Sequence, residues 1–234
     1  MADRGAVRTL FLDAGGVLVD PDWERVAGRA ASAGLRVAPE DLARADPRAR
    51  RDLDEPAVVR SSDDRARGVL YFGGLLRHAG VEAADALLER AAVGILEESA
   101  RANLWTRVAP GVPAALDRLR AAGLRLVVVS NADGSLERSF GRLGLRERVD
   151  ALLDSAVVGV EKPDPRIFRE AVARSGADPG STVHVGDFFH IDVVGARAAG
   201  LRAVLVDPAG LHADRDCERT ASLAAYADAL LGAG

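Results

Sequence analysis

The sequence predicts an α/β fold, a doubly wound and mostly parallel sheet interrupted by an inserted helical domain. Three observations predict it. A short apolar run, Leu10-Phe11-Leu12, ends in Asp13 as a strand buried on both faces does. Residues 21–105 then hold Ala/Leu/Arg segments at helical spacing and no convincing buried strand. From Pro110 onward, helix and strand patterns alternate to the end of the chain, which is how a parallel sheet with helices on its faces is written. The expected division is a Rossmann-like core over residues 1–19 and 106–234 and a helical cap over residues 20–105. A chain of 234 residues can bury a core of that size.

Taken in order, Asp13 falls at the carboxyl end of the first strand, the edge where open α/β sheets bind ligands. Gly15-Gly16 then lets the backbone turn sharply and approach a ligand closely. In the insertion, Pro21-Asp22-Trp23 starts a helix running to about Ala33. Residues 37–60 are charged and contain Pro39, Pro47 and Pro56, which reads as short helices and loops. Two longer helices follow over residues 62–79 and 82–102, the second striped by Ala84, Leu88, Ala91 and Ile95. Beyond Pro110, helices are expected at 112–122, 136–143, 165–175, 191–199 and 219–231. Strands are expected at 124–129, within 151–158, at 182–185 and at 203–206.

Composition narrows the function classes. The 48% apolar and 28% charged content is that of a soluble globular chain, and a net charge of −4 offers no general attraction to nucleic acid or to an anionic membrane. Cys217 is the one cysteine, so no internal disulfide is possible. No apolar stretch reaches a membrane span and no signal peptide precedes the first strand, which leads to an expected cytoplasmic location. No pattern speaks to oligomeric state. Of 31 basic residues only Lys162 is a lysine, which marks a position where a compact ammonium serves and a planar guanidinium does not.

Three strands end in polar residues: Asp13, Ser130-Asn131 and Asp187. Each alone reads as a group capping the next helix. Parallel strands put all their carboxyl ends on one edge, so the three can converge although Asp13 lies more than 100 residues from the others. Carboxylates at Asp13, Asp187 and Asp192 form the oxygen-rich set that Mg²⁺ takes, and Ser130 and Lys162 can hold phosphoryl oxygens. Asp13 can then attack phosphorus to form an aspartyl phosphate that water cleaves.

With these residues in place, the chain resembles the haloacid dehalogenase superfamily, in the branch with a helical cap after the first motif. The first motif is Phe11-Leu12-Asp13-Ala14-Gly15-Gly16-Val17-Leu18 and the second is Val128-Val129-Ser130-Asn131-Ala132-Asp133-Gly134. Val160-Glu161-Lys162-Pro163-Asp164-Pro165-Arg166-Ile167-Phe168 is similar to the third, and His184-Val185-Gly186-Asp187-Phe188-Phe189-His190-Ile191-Asp192 to the fourth. The resemblance implies a phosphatase acting on a small phosphorylated metabolite, with Asp13 as nucleophile and Ser130 and Lys162 on the phosphoryl group. It also implies substrate contacts from Gly15, Gly16 and Asn131. Mg²⁺ would be held by Asp13, the carbonyl of Gly15, Asp187 and Asp192, the last directly or through water.

One departure matters. Phosphatases of this superfamily carry a second aspartate two residues after the nucleophile as general acid, and this chain has Gly15 there. Losing a general acid costs about 10²- to 10⁴-fold in rate. The gap leaves three readings. The chain can be a phosphatase for good leaving groups (an anomeric phosphate, acyl phosphate or diphosphate), or one whose cap lends an acid from Asp20, Asp22, Asp63, Asp64 or His78. It can be a non-catalytic phosphate-ester-binding or regulatory module. It can be a haloacid dehalogenase-type hydrolase, although the Asp187 and Asp192 pair is of the metal-binding kind; a phosphonoacetaldehyde hydrolase is excluded by a cap without lysine. Trp23, Tyr71, Phe72 and Trp105 read as core, and His184 as a packed histidine with both ring nitrogens satisfied.

Overall fold

The computed structural model describes residues 6–61 and 64–232. Among the described residues eight strands are formed: β1 (Thr9–Leu12), β2 (Val19–Pro21), β3 (Trp105–Val108), β4 (Arg125–Ser130), β5 (Ala151–Asp154), β6 (Thr182–Gly186), β7 (Arg202–Val206) and β8 (Glu218–Thr220). The helices are α1 (Trp23–Ser32), α2 (Pro39–Leu53), α3 (Pro56–Ser61), α4 (Asp64–His78), α5 (Asp85–Ala102), α6 (Val112–Ala121), α7 (Leu136–Arg142), α8 (Ser155–Val158), α9 (Pro165–Ser175), α10 (Val194–Ala198) and α11 (Leu223–Leu231). The chain divides into two compact units, one of residues 1–20, 108–210 and 214–234, the other of residues 21–107 and 211–213.

The first unit is an α/β Rossmann-like fold. Its sheet has the order β5-β4-β1-β6-β7-β8, and every pairing within it is parallel. From β1 the chain builds outward to one side through β4 and β5, then to the other through β6, so the order reverses between β1 and β6. Such a reversal opens a crevice at the carboxyl ends of the strands. Leu12 is in register with Val128 on one side and Val185 on the other, and Asp13 extends the ladder by donating its N–H to Val185 O at 2.9 Å. Ser130 and Asp187 therefore lie two residues beyond Leu12's partners, on the same edge as Asp13.

Alternation along the strands fills both faces. Phe11, Val127 and Val129 point to one face, where Ile167, Phe168 and Ala171 of α9 and Ala196 of α10 cover them in one cluster. Leu10, Leu12, Leu126 and Val128 are buried on the other face. Gly195 sets how closely α10 approaches the first cluster: a Cβ there would lie 3.0 Å from both Phe168 Cε2 and the Pro163 carbonyl oxygen.

The second unit is helical, with α4 packed on α2 and α5, and α1 on α2 and α5. The proline-rich stretch holds the short helix α3 in keeping with its composition, but before it stands one long helix in place of short helices and loops. Pro39 occupies the first turn of α2, where its missing N–H is harmless, and the helix continues through Pro47 for 15 residues. Leu42, Ala45, Ala49 and Leu53 recur at helical spacing and are buried, and Asp46 accepts from Arg50 Nε one turn on at 2.9 Å. That burial outweighs the one hydrogen bond Pro47 removes. Leu88, Ala91 and Ile95 form the buried stripe of α5 as expected, whereas Ala84 is its exposed N-cap. The β2 and β3 pair, made where the chain passes between units, has too few residues to show a period. The expected helix over 191–199 is a π-helical turn at Phe189–Val193 followed by α10, and the last helix begins only at Leu223 because β8 takes the residues before it.

Replacing Gly195 by alanine should lower the stability of the α/β unit by about 1–3 kcal/mol, the usual cost of overpacking. A urea midpoint unchanged by the substitution would show that α9 and α10 can separate freely.

Candidate active site

Each site residue stands at the carboxyl edge because a strand of the α/β unit ends there or a short loop returns there. The buried carboxylates of Asp13, Asp187 and Asp192 each offer an oxygen within 4.8 Å of the others. Lys162, only 1% exposed, places Nζ 2.8 Å from Asp13 Oδ1 and 2.7 Å from Asp192 Oδ1. Burial works against the Lys162 charge, but the adjacent Asp13 and Asp192 outweigh it and hold the ammonium above the ordinary lysine range. Burial likewise opposes the charge on Asp192, yet Lys162 and His184 keep its carboxyl well below the usual carboxylate range.

Asp192 is engaged on both oxygens. Oδ1 meets Lys162 Nζ and His184 Nε2, the latter at 2.9 Å, while Oδ2 accepts the backbone N–H groups of Asp187 at 3.2 Å and Phe188 at 3.0 Å. Asp13 is engaged on one oxygen: Oδ1 takes the Ala14 N–H at 2.8 Å and Lys162. The loop after it is tight, with Gly16 at φ 72° donating to Val19 O and Gly15 bridged to Val19.

Ser130 is buried, and among the described residues its hydroxyl makes only a long 3.5 Å contact to the carbonyl of Asn131. Asn131, expected among the substrate-binding residues, commits both ends of its amide to the main chain of Lys162. Its Nδ2 donates to Lys162 O at 2.9 Å and its Oδ1 accepts from Lys162 N at 2.7 Å, as a neighbouring strand would. The loop beyond is held by residues the sequence reading passed over. Asp154, at the end of β5, accepts from Gly134, Leu136 and Ala156 N–H groups, and Ser155 Oγ bonds both N and O of Ala132. The signal was present, since Asp154-Ser155 ends an apolar strand just as Ser130-Asn131 does.

His184 departs from its expected state. It is fully buried, but only Nε2 is satisfied; Nδ1 has no hydrogen-bond partner among the described residues. Of the acids considered as replacements for the missing general acid, Asp22 caps α1 by accepting from Arg25 N and His78 pairs with Asp52 at 2.7 Å. Asp63 and the side chain of Asp64 lie outside the described residues. Among the described residues no helix is long and apolar enough to cross a membrane.

Residues 7–200 match the haloacid dehalogenase-like hydrolase family. The chain belongs to that family. Among its relatives, haloacid dehalogenase-like hydrolase domain-containing protein 3 of Mus musculus is 42% identical over 130 residues, covering 56% of this chain and 51% of that protein. Glyceraldehyde 3-phosphate phosphatase of Methanothermobacter thermautotrophicus is 39% identical over 108 residues, 46% of this chain and 48% of that protein. The chain thus spans about half the length of these relatives. In fold it is similar to the HAD-hydrolase YfnB of Bacillus subtilis, with a TM-score of 0.67 at 19% identity over 96% of this chain and 99% of that one.

The Lys162 and Asp192 shifts have opposite consequences for stability in metal-free buffer. A depressed Asp192 stabilises the fold above its unfolded value of about 3.9 and loses that contribution as pH falls through the folded value. A raised Lys162 contributes fully below its unfolded value of about 10.4 and loses it as pH rises through the folded one. The stability gap between the wild type and Asp192→Asn, read by urea denaturation in EDTA, should be widest near neutrality and narrow progressively as pH falls below about 4.

Proposed function

We propose that this haloacid dehalogenase-like hydrolase is a Mg²⁺-dependent phosphatase of small phosphorylated metabolites, favouring those with good leaving groups. The observation that carries the reading is the one lysine of the chain, buried with Nζ between Asp13 and Asp192 and with Asp187 alongside. Three carboxylates against one ammonium leave an excess of negative charge in a buried site. Such an oxygen-donor set suits a hard divalent cation. Asp13, Asp187 and the Gly15 carbonyl would hold it, with Asp192 bearing on it through water, since all four of its contacts are already within the protein. When bound, Mg²⁺ supplies charge that lets an anionic phosphate approach an anionic nucleophile.

The chain's own residues then do the following. Asp13 Oδ1 is fixed by Ala14 N–H and Lys162, so Oδ2 is the attacking oxygen. It forms a bond to phosphorus while the bond from phosphorus to the ester oxygen breaks and that oxygen departs with the electron pair. Lys162 and the Ser130 hydroxyl hold phosphoryl oxygens, countering charge that builds in the transition state. Water then attacks phosphorus, phosphate leaves, and the Asp13 carboxylate is restored. Asn131 acts on Lys162 rather than on substrate, clamping its backbone from both sides.

Gly15 supplies no proton, so the departing oxygen must be stable as an anion or nearly so. The phosphatase named among the relatives supports the reaction class. The ester in that protein's name is a simple alkyl phosphate, and it belongs in the test panel for that reason.

The test is phosphate release from acetyl phosphate, an aldose 1-phosphate, p-nitrophenyl phosphate and glyceraldehyde 3-phosphate, with Mg²⁺ and with EDTA. Acyl, anomeric and aryl esters should be turned over and EDTA should stop the reaction. Asp13→Asn should lower the rate at least about 10³-fold while melting as a folded protein. Gly15→Asp should raise turnover of the alkyl ester by about 10²-fold and change acetyl phosphate little. A wild type that prefers the alkyl ester would refute the role given to Gly15. Binding of phosphate with Mg²⁺ but no turnover of any ester would identify a binding module instead.

A further inference from the structure

β6 places His184 and Gly186 on one face, and both serve Asp192. His184 is in register with Phe11, on the face covered by α9 and α10, and Gly186 shares that face two residues on. A Cβ built on Gly186 would stand 2.2 Å from Asp192 Cγ, so the Asp192 side chain occupies the space a side chain at 186 would fill. From that position its carboxylate reaches His184, Lys162 and the N–H groups of Asp187 and Phe188 together.

The His184 ring is fully buried and packs edge-on against Phe168 with centroids 4.9 Å apart. Leucine or phenylalanine would fill such a place without burying the unmatched Nδ1, which carries a desolvation cost. What histidine adds is a donor at Nε2, directed at the Asp192 carboxylate. Deleting that donor leaves Asp192 Oδ1 held by Lys162 alone, so the carboxylate, still anchored at Oδ2 by the Asp187 and Phe188 N–H groups, can pivot about Oδ2 and carry Oδ1 off its line to Lys162.

We propose that His184 is a positioning residue. By fixing Asp192 Oδ1 at 2.9 Å it fixes the oxygen that Lys162 Nζ binds at 2.7 Å, and so aims the ammonium at Asp13. The catalytic consequence rests on the phosphatase reading; the geometric one does not.

Lys162 is the one lysine of the chain, so protein grown on isotope-labelled lysine gives a single side-chain nitrogen signal in NMR, with no assignment needed. In the full chain, His184→Leu should shift or broaden that signal and lower kcat on p-nitrophenyl phosphate by about tenfold or more, since misplacement by about 1 Å can cost 10²-fold. His184→Gln, whose amide keeps a donor near the Nε2 position, should restore the signal and bring kcat to within about threefold of wild type. Should His184→Leu fail to fold, His184→Asn, with an amide one carbon shorter, takes its place and should behave as donor loss. A wild-type signal and kcat in the donor-less variant, or a Gln variant as impaired as it, overturns the proposal. If the wild type hydrolyses no phosphate ester, the phosphatase reading fails, and the lysine signal alone decides whether His184 sets Lys162.

Discussion

A single ammonium buried between carboxylates is the constraint on which the site depends. An ion removed from water costs several kcal/mol unless partners replace its hydration, and removing one partner of such a pair leaves the other uncompensated. Lys162 meets that condition because Asp13 and Asp192 come to it from β1 and from the turn after β6, while Asn131 from β4 grips its main chain. Strands β4, β1 and β6 are neighbours in the sheet, so the sheet order and the ion pairs specify each other. A guanidinium would be too broad to sit between two oxygens at these distances, which accounts for lysine surviving here in a chain that otherwise uses arginine.

Asp192 and Asp13 illustrate how environment divides labour between identical side chains. Asp192 has four contacts within the protein and is immobilised; Asp13, among the described residues, is held on one oxygen, which suits the nucleophilic role proposed for it. The rigid member lies deep against β6, with Gly186 making room. Preorganisation of this kind lets charge be stabilised without rearrangement at the moment of reaction.

Much of this was legible in the sequence because it follows from short-range rules. Apolar runs ending in Asp13, Ser130 and Asp187 give strands and an edge, and parallel pairing brings those ends together. What escaped depends on tertiary context. The helical run through Pro47 is sustained by burial of Leu42, Ala45, Ala49 and Leu53, which no local propensity records. The β2 and β3 pair is too short to show a period. The contacts of Asn131 could not be read because its partner Lys162 lies 31 residues on, and those of His184 because the turn that folds Asp192 back on it, eight residues on, has no periodic signature. Asp154 could have been found by the strand-end rule already in use.

The loop from Ala132 to Leu136 shows how such a site can diversify. Its backbone is fastened chiefly by Asp154 at the end of β5 and Ser155 at the start of α8, with Asp133 Oδ1 accepting from Ser135 N–H inside the loop. A substitution at Ala132 leaves these anchors in place, because its main chain and not its side chain meets Ser155. A loop held through its main chain can exchange such a side chain and still keep its place beside the carboxyl edge of the sheet.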